Sequence, residues 1–254
     1  MGAARNELEV RLDETFAAAH FMDRAYRLRP RIGHAIRWDG PAHEVELLRA
    51  FLVDDLSREG EILSALYVRS VATFERYLRK VSSEIVEAKA ASASTLGALP
   101  PDFKLRHLVL SARLLGSMDQ PKDYISFNPQ IVIERLAACE RDALPYQLNT
   151  VSFSASLQSP TVEAIERLLA TLGIKDIFES IGRSTTLQRL LEKHGTRATG
   201  NRVQERLGEI VRWRNNFAHG GDDERTVSLD EFDAVVKFLR AVAIEIDETV
   251  DKSI

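Results

Sequence analysis

Four residues separate Arg214 from His219 in the run Arg214-Asn215-Asn216-Phe217-Ala218-His219, and the glycine pair Gly220-Gly221 follows at once. Each side chain suits one part of a reaction at an anion. The guanidinium of an arginine is a fixed cation with a planar fork of donors. Imidazole takes up and releases protons near neutral pH. On a helix, Asn215 and His219 are one turn apart, so the amide can reach the ring and orient it. A glycine pair ends helices. His219 is therefore expected in a last turn, beside carbonyls that have no partner within the helix.

The helix itself marks Arg214 as unusual. Val203, Leu207, Ile210 and Phe217 recur at helical spacing, and at about 100° per residue Arg214 falls in the middle of that apolar stripe. A guanidinium on a core-facing stripe is costly unless something pairs with it. Two readings follow: a structural ion pair, or a site at a partly closed surface.

Charge sharpens the second reading. From Arg183 to His219 the chain has eight Arg and Lys (Arg183, Arg189, Lys193, Arg197, Arg202, Arg206, Arg212, Arg214) against the acids Glu192, Glu205 and Glu209. From Gly220 onward, ten Asp and Glu face four Lys and Arg. A basic segment running into a histidine suits a polyanion held by arginines beside a proton-transfer group. The alternative is that neighbouring helices pair opposite surfaces.

The run resembles the Arg-x4-His signature of the HEPN superfamily, and is most similar to its RiboL-PSP-like branch. The resemblance is clearest from about Ser154 to the C-terminus, with a weaker echo at Phe74-Glu75-Arg76-Tyr77-Leu78. It implies a HEPN-like helical bundle acting as a metal-independent endoribonuclease. RNA carries its own nucleophile, the 2′-hydroxyl. Cleavage then needs a base, an acid for the departing 5′-oxygen, and a cation at the phosphorane. One histidine does not serve as both acid and base in a single step. A homodimer with both motifs in one cleft supplies two.

By motif match, Arg214 and His219 are catalytic and Asn215 orients the imidazole. Arg212 and Asn216 are assigned as substrate contacts. Family members often act as toxins or in phage defence, which implies RNA as substrate and an antitoxin or other regulatory partner. The tyrosine that some members carry two residues after the histidine is Gly221 here, so control through that residue is not expected. The competing reading is a non-catalytic module that binds nucleotide, RNA or a protein partner, with Arg214 paired to a carboxylate on another helix. A plain structural bundle is the third.

Other chemistries find little footing. The six histidines include no pair at helical ligand spacing and no His-Glu-x-x-His, so no metal site or cofactor is expected. Gly-x-Ser-x-Gly, Walker and dinucleotide-binding patterns do not occur. Cys139, the single cysteine, sits on an amphipathic stretch and reads as packing. Trp213 flanks the stripe and reads as packing more than base stacking. Trp38 reads as a loop anchor, Asp54-Asp55 as a helix face and Asp222-Asp223-Glu224 as a turn.

The 254 residues carry a net charge of −4 with 44% hydrophobic and 28% charged residues, the profile of a water-soluble globular chain that does not coat nucleic acid indiscriminately. One cysteine fits a reducing compartment. Neither a leader peptide nor a membrane span is visible, so a cytoplasmic protein without membrane contact is expected.

The elements that must position the motif read as all-α, with long antiparallel helices and an irregular middle insertion. One domain is expected, with long helices over 1–91, the insertion over 92–158 and the motif-bearing helices over 159–254. Glu7 to Leu28 is a first helix, stopped by Arg29-Pro30. A near-continuous helical pattern runs from His43 to about Ala91, with Gly60 as a bend or a division. Shorter helices are expected over Asp102–Leu115 and Pro129–Cys139. Ser159 as N-cap and Pro160 at the first position start another, closed by Gly173. Thr185–Lys193 precedes the motif helix, expected to begin at Asn201. Ser228-Leu229-Asp230-Glu231 reads as a capping box opening the last helix.

Overall fold

The computed structural model describes residues 2–35, 59–117, 126–141, 146–155, 157–219 and 225–253. The helical row expected over 43–58, Trp38, Asp54-Asp55, Gly220-Gly221 and Asp222-Asp223-Glu224 lie outside them. Among the described residues there are ten α-helices, one 3₁₀ turn at Leu96–Ala98 and no strand. The helices are α1 (Ala3–Ala35), α2 (Glu59–Ser92), α3 (Pro101–Gly116), α4 (Pro129–Glu140) and α5 (Thr150–Ser154). They continue with α6 (Val162–Thr171), α7 (Ile177–Ile181), α8 (Thr185–Leu190), α9 (Thr196–His219) and α10 (Leu229–Asp251). The chain is all-α, and none of these helices is long and apolar enough to cross a membrane.

At the centre lies α2, packed against α1, α5, α9 and α10. Its row Leu63, Tyr67, Val71, Phe74, Leu78, Val81 and Ile85 is buried at helical spacing. Facing it, α1 buries Ala4, Leu8, Leu12 and Ala19. Leu8 and Leu12 each contribute about 1.5–3 kcal/mol by leaving water. Cross-links fix the direction. Glu7 meets Arg76 and Lys80, and Glu14 meets Arg69, so α1 runs antiparallel to α2. Arg240 meets Glu9 and Asp13 while Asp233 meets His20, so α1 is antiparallel to α10 as well. The middle of the chain joins the same core: Phe103 of α3 stacks on Phe153 of α5 with centroids 5.2 Å apart.

Several boundaries differ from the sequence reading. α1 begins at Ala3 and runs through Pro30 to Ala35, so the Arg29-Pro30 stop is not used. A proline removes one backbone hydrogen bond and kinks a helix without having to end it. α6 is capped by Thr161, whose hydroxyl accepts from Ala164 N at 3.2 Å; Ser159 and Pro160 precede the cap. Gly173 does close that helix, at φ 89, with Ile174 N donating to Leu169 O at 2.9 Å. α8 ends at Leu190, and a turn through Glu192 at φ 51 follows it. The motif helix starts at Thr196, ahead of the expected Asn201. α5 and α7 leave no mark in the sequence pattern, because one turn of helix gives no readable period. The capping box at Ser228 is present with both of its hydrogen bonds.

Candidate active site

Close contacts that only glycine permits seat the start of α9. A Cβ on Gly200 would lie 2.6 Å from the Phe178 carbonyl oxygen, and one on Gly182 would collide with the Thr196 carbonyl. Val203, Leu207 and Ile210 then anchor the helix in the core. Near its end, the Tyr67 hydroxyl donates to Ile210 O at 3.3 Å, and Phe217 meets the Tyr67 ring edge-on at 5.4 Å. Trp213 stacks on Phe217, and the Arg225 guanidinium covers its ring at 3.9 Å. Trp213 therefore packs against its own chain. The return segment is pinned too: Val227 N donates to Ser64 Oγ at 3.4 Å, and Thr226 fills the space at Gly60 that a side chain would need. Both ends of α9 are thus held.

Within that frame Arg214 faces α2, with its side chain 23% exposed. Nη1 donates to Asn215 Oδ1 at 3.0 Å. Nη2 lies 3.9 Å from Glu75 Oε2, at the outer limit of an ion pair. Nε is buried and, among the described residues, has no hydrogen-bond partner. Glu75 is itself only 6% exposed. Its carboxylate is bound more closely to Arg79, whose Nη2 also donates to Leu157 O at 2.8 Å. Burial pushes the Glu75 carboxyl above its usual range, against the pull of Arg79 and, more weakly, Arg214. Arg214 is thus half-enclosed, with donors still to fill.

The remaining motif residues separate by exposure. His219 is exposed at the last position of α9, next to exposed Ala218. Asn215 and Asn216 are half-buried, and Arg212 is exposed. Arg214 and Asn215 are brought together. The Asn215 carbonyl oxygen serves the guanidinium, and no hydrogen bond joins Asn215 to His219 in the described structure. A charge-assisted bond to the adjacent arginine is the stronger use of that oxygen. Much of the basic segment is spent on surface pairs. Arg202 meets Glu205 and Glu209, Arg206 meets Glu209, and Arg183 meets Glu179.

From the sequence alone Glu75 has no role. A signal was available: Glu75 follows Phe74 on the buried face of α2, a carboxylate as misplaced on its helix as Arg214 is on α9. Two misfit charges of opposite sign on apolar stripes are candidates for each other.

Comparison with curated proteins and with solved structures finds no match to this chain. A family model described as RiboL-PSP-HEPN matches residues 42–252, which span α2 to α10 and leave α1 outside. The all-α bundle agrees with that match, and the chain belongs to the RiboL-PSP-HEPN family, a HEPN branch.

Proposed function

We propose that this protein is a metal-independent endoribonuclease whose active site forms between two copies of the chain. The observation that carries the reading is the state of Arg214: held at a half-closed surface, with a buried Nε unfilled and only a 3.9 Å ion pair, five residues before an exposed histidine. The 2′-hydroxyl loses its proton to one His219 and attacks phosphorus. The bond to the 5′-oxygen breaks, and the second His219 protonates that oxygen. The products are a 2′,3′-cyclic phosphate and a 5′-hydroxyl. Arg214 neutralises charge on the phosphorane, and acid–base catalysis adds about 10²–10⁴-fold. Asn215 fixes the guanidinium through Oδ1 and leaves its amide nitrogen to orient a ring. Exposed Arg212 and half-buried Asn216 meet the flanking backbone. Family resemblance supports a role as a toxin or defence effector in the cytoplasm, restrained by a partner.

One observation favours the second reading, a non-catalytic module: Glu75 is within ion-pair range of Arg214, as a structural clamp requires. The closer Glu75–Arg79 pair weighs against it, since a carboxylate already neutralised by Arg79 does not need Arg214 as its clamp. The test is purified protein with structured and unstructured RNA in excess EDTA. Cleavage leaving cyclic phosphate ends, lost by about 100-fold or more in Arg214→Ala and His219→Ala, is expected. Inert wild type, or cleavage indifferent to both changes, sinks the proposal.

A further inference from the structure

We infer that α3 is a self-association face: two copies of the chain pair through the exposed sides of α3, antiparallel about a two-fold axis beside Leu108. The helix has two unlike sides. Phe103, His107, Ser111 and Leu114 recur every three or four residues and are buried. On the opposite side Leu105 is 61%, Leu108 51% and Val109 38% exposed, in one row with exposed Ala112 and Gly116. α4, packed beside α3, leaves Ile131 and Ile133 exposed as well. A lone surface leucine is ordinary, whereas an apolar row at helical spacing marks a face that a partner covers.

Two charges identify the occupant. Asp102 and Arg113 lie near opposite ends of α3, about 16 Å apart along its axis. At about 100° per residue they fall within about 20° of each other, on one flank of the apolar row. Both are exposed, and among the described residues neither has an ion-pair partner. A two-fold axis across an antiparallel helix pair sets each flank against its own copy and reverses the ends. Asp102 of each chain then meets Arg113 of the other, twice over. The midpoint of the two charges falls between positions 107 and 108. The two Leu108 side chains therefore meet at the axis, and Leu105 seats between Val109 and Ala112 of the second copy. An anionic bilayer surface repels Asp102, where a second α3 pairs it.

The face is remote from the motif helix. Lys89 stands over the Phe103 ring at 6.0 Å, whereas Phe217 meets Tyr67 at 5.4 Å, and those two positions on α2 are about 33 Å apart. Pairing through α3 is thus separate from the two-histidine cleft and does not depend on RNA cleavage. A chain that makes both contacts has two partners and assembles beyond a dimer.

Sedimentation of the full chain between about 1 and 100 μM reads the pairing, since one helix face is at the small end of specific interfaces. Asp102→Arg and Arg113→Asp each put like charges at both ends of the pair, and each should weaken association about tenfold or more. An equal mixture of the two variants should restore it, because the mixed pair has opposite charges at both ends. The double change in one chain should restore it as well. Helix-dipole effects alone make the double change the worst of the three. Circular dichroism checks that each variant folds. Under mild oxidation Leu108→Cys should give a disulfide-linked dimer, while Ala112→Cys, about 13 Å from its own copy along the axis, should not. A mass that no variant changes, a mixture no better than its components, or a double change weaker than either single one overturns the inference. So does flotation of the wild type on phosphatidylglycerol vesicles that Leu105→Glu abolishes, which gives the face to a lipid surface.

Discussion

The Tyr77 hydroxyl of α2 lies 2.6 Å from the Asp247 carboxylate of α10, and both side chains are buried. Burial raises the Asp247 pKa, and the tyrosine hydrogen bond works against that rise. With the Ala243 carbonyl 2.9 Å from the same hydroxyl, this contact locks α2 to α10, the two long helices packed on α1. Tyr77→Phe removes the donor and leaves a buried acid without it. The expected loss is about 1.5–3 kcal/mol, or about 2–4 °C in Tm per kcal/mol. Urea melts of the two proteins check this, and a difference below about 0.5 kcal/mol would mean that water replaces the hydroxyl.

His107 makes the middle of the chain sensitive to acid. It is 2% exposed, and its Nε2 accepts from Asn149 N at 2.9 Å, which assigns the proton of the neutral ring to Nδ1. Burial, aided by the Arg135 charge, lowers its pKa from 6.5 to about 4. Between those values the unfolded chain binds a proton that the folded one refuses. The contribution is therefore complete above pH 6.5 and is lost as pH falls towards 4, by about 2–3 kcal/mol. Melts at pH 7 and pH 4.5 should show a loss in the wild type that shrinks in His107→Gln. Equal losses in both proteins argue that the ring is not neutral in the fold.

How far the sequence reached depended on how each signal is encoded. The capping box is local chemistry, two side chains three residues apart, and Ser228 and Glu231 form it as read. The Arg214 anomaly was visible because a long helix has a period to violate. Its partner was not, since Glu75 and Arg214 belong to different helices and periodicity carries no information about which stripes meet. Thr161 outcompeted Ser159 as a cap for a similar reason: both are good caps, and packing chose between them. Local sterics make Pro30 a stop in the sequence, and α1 continues through it to Ala35.

Glu7 is the electrostatic hub between α1 and α2. Lys80 Nζ at 2.8 Å, Arg11 Nε at 2.9 Å and Arg76 Nε at 2.7 Å converge on its carboxylate. The Lys80 hydrogen bond leads the effects that bring its pKa from 4.5 to about 2; burial opposes it, and Arg11 and Arg76 add to the lowering. A depressed acid stabilises the fold above its unfolded pKa, so this contribution fades as pH drops from 4.5 towards 2. The network is partly solvated, so Glu7→Gln is expected to cost only about 1 kcal/mol, and less at high salt. Melts in low and high sodium chloride test it: a cost that does not shrink with salt points to packing instead.

Two glycines on α9 should respond oppositely to alanine. At Gly200 the new Cβ would stand 2.6 Å from the Phe178 carbonyl, a backbone atom with little room to retreat, and about 1–3 kcal/mol should be lost. At Gly208 nothing lies within 4 Å, and the gain in helix propensity should add about 0.5–1 kcal/mol. Both sites are remote from Arg214, about 21 Å and 9 Å along the helix axis. Thermal melts of the pair give the comparison. Matching signs show that α7 can move away from α9.

The proposed two-histidine cleft predicts how mixtures behave. His219 is exposed at the end of α9, so His219→Ala should fold and pair as the wild type does, with little change in Tm. A mixed dimer then holds one histidine, too few for acid and base in the same step. With free exchange of subunits, activity should follow the square of the wild-type fraction: equal mixing gives about one quarter of the undiluted rate, against about one half for independent subunits. Arg214→Ala in place of His219→Ala asks whether one guanidinium is enough, and a linear decline there beside a quadratic one for His219 assigns the shared requirement to proton transfer. A linear decline in both experiments means each chain cuts alone, and the acid must then be sought among groups of the same protomer.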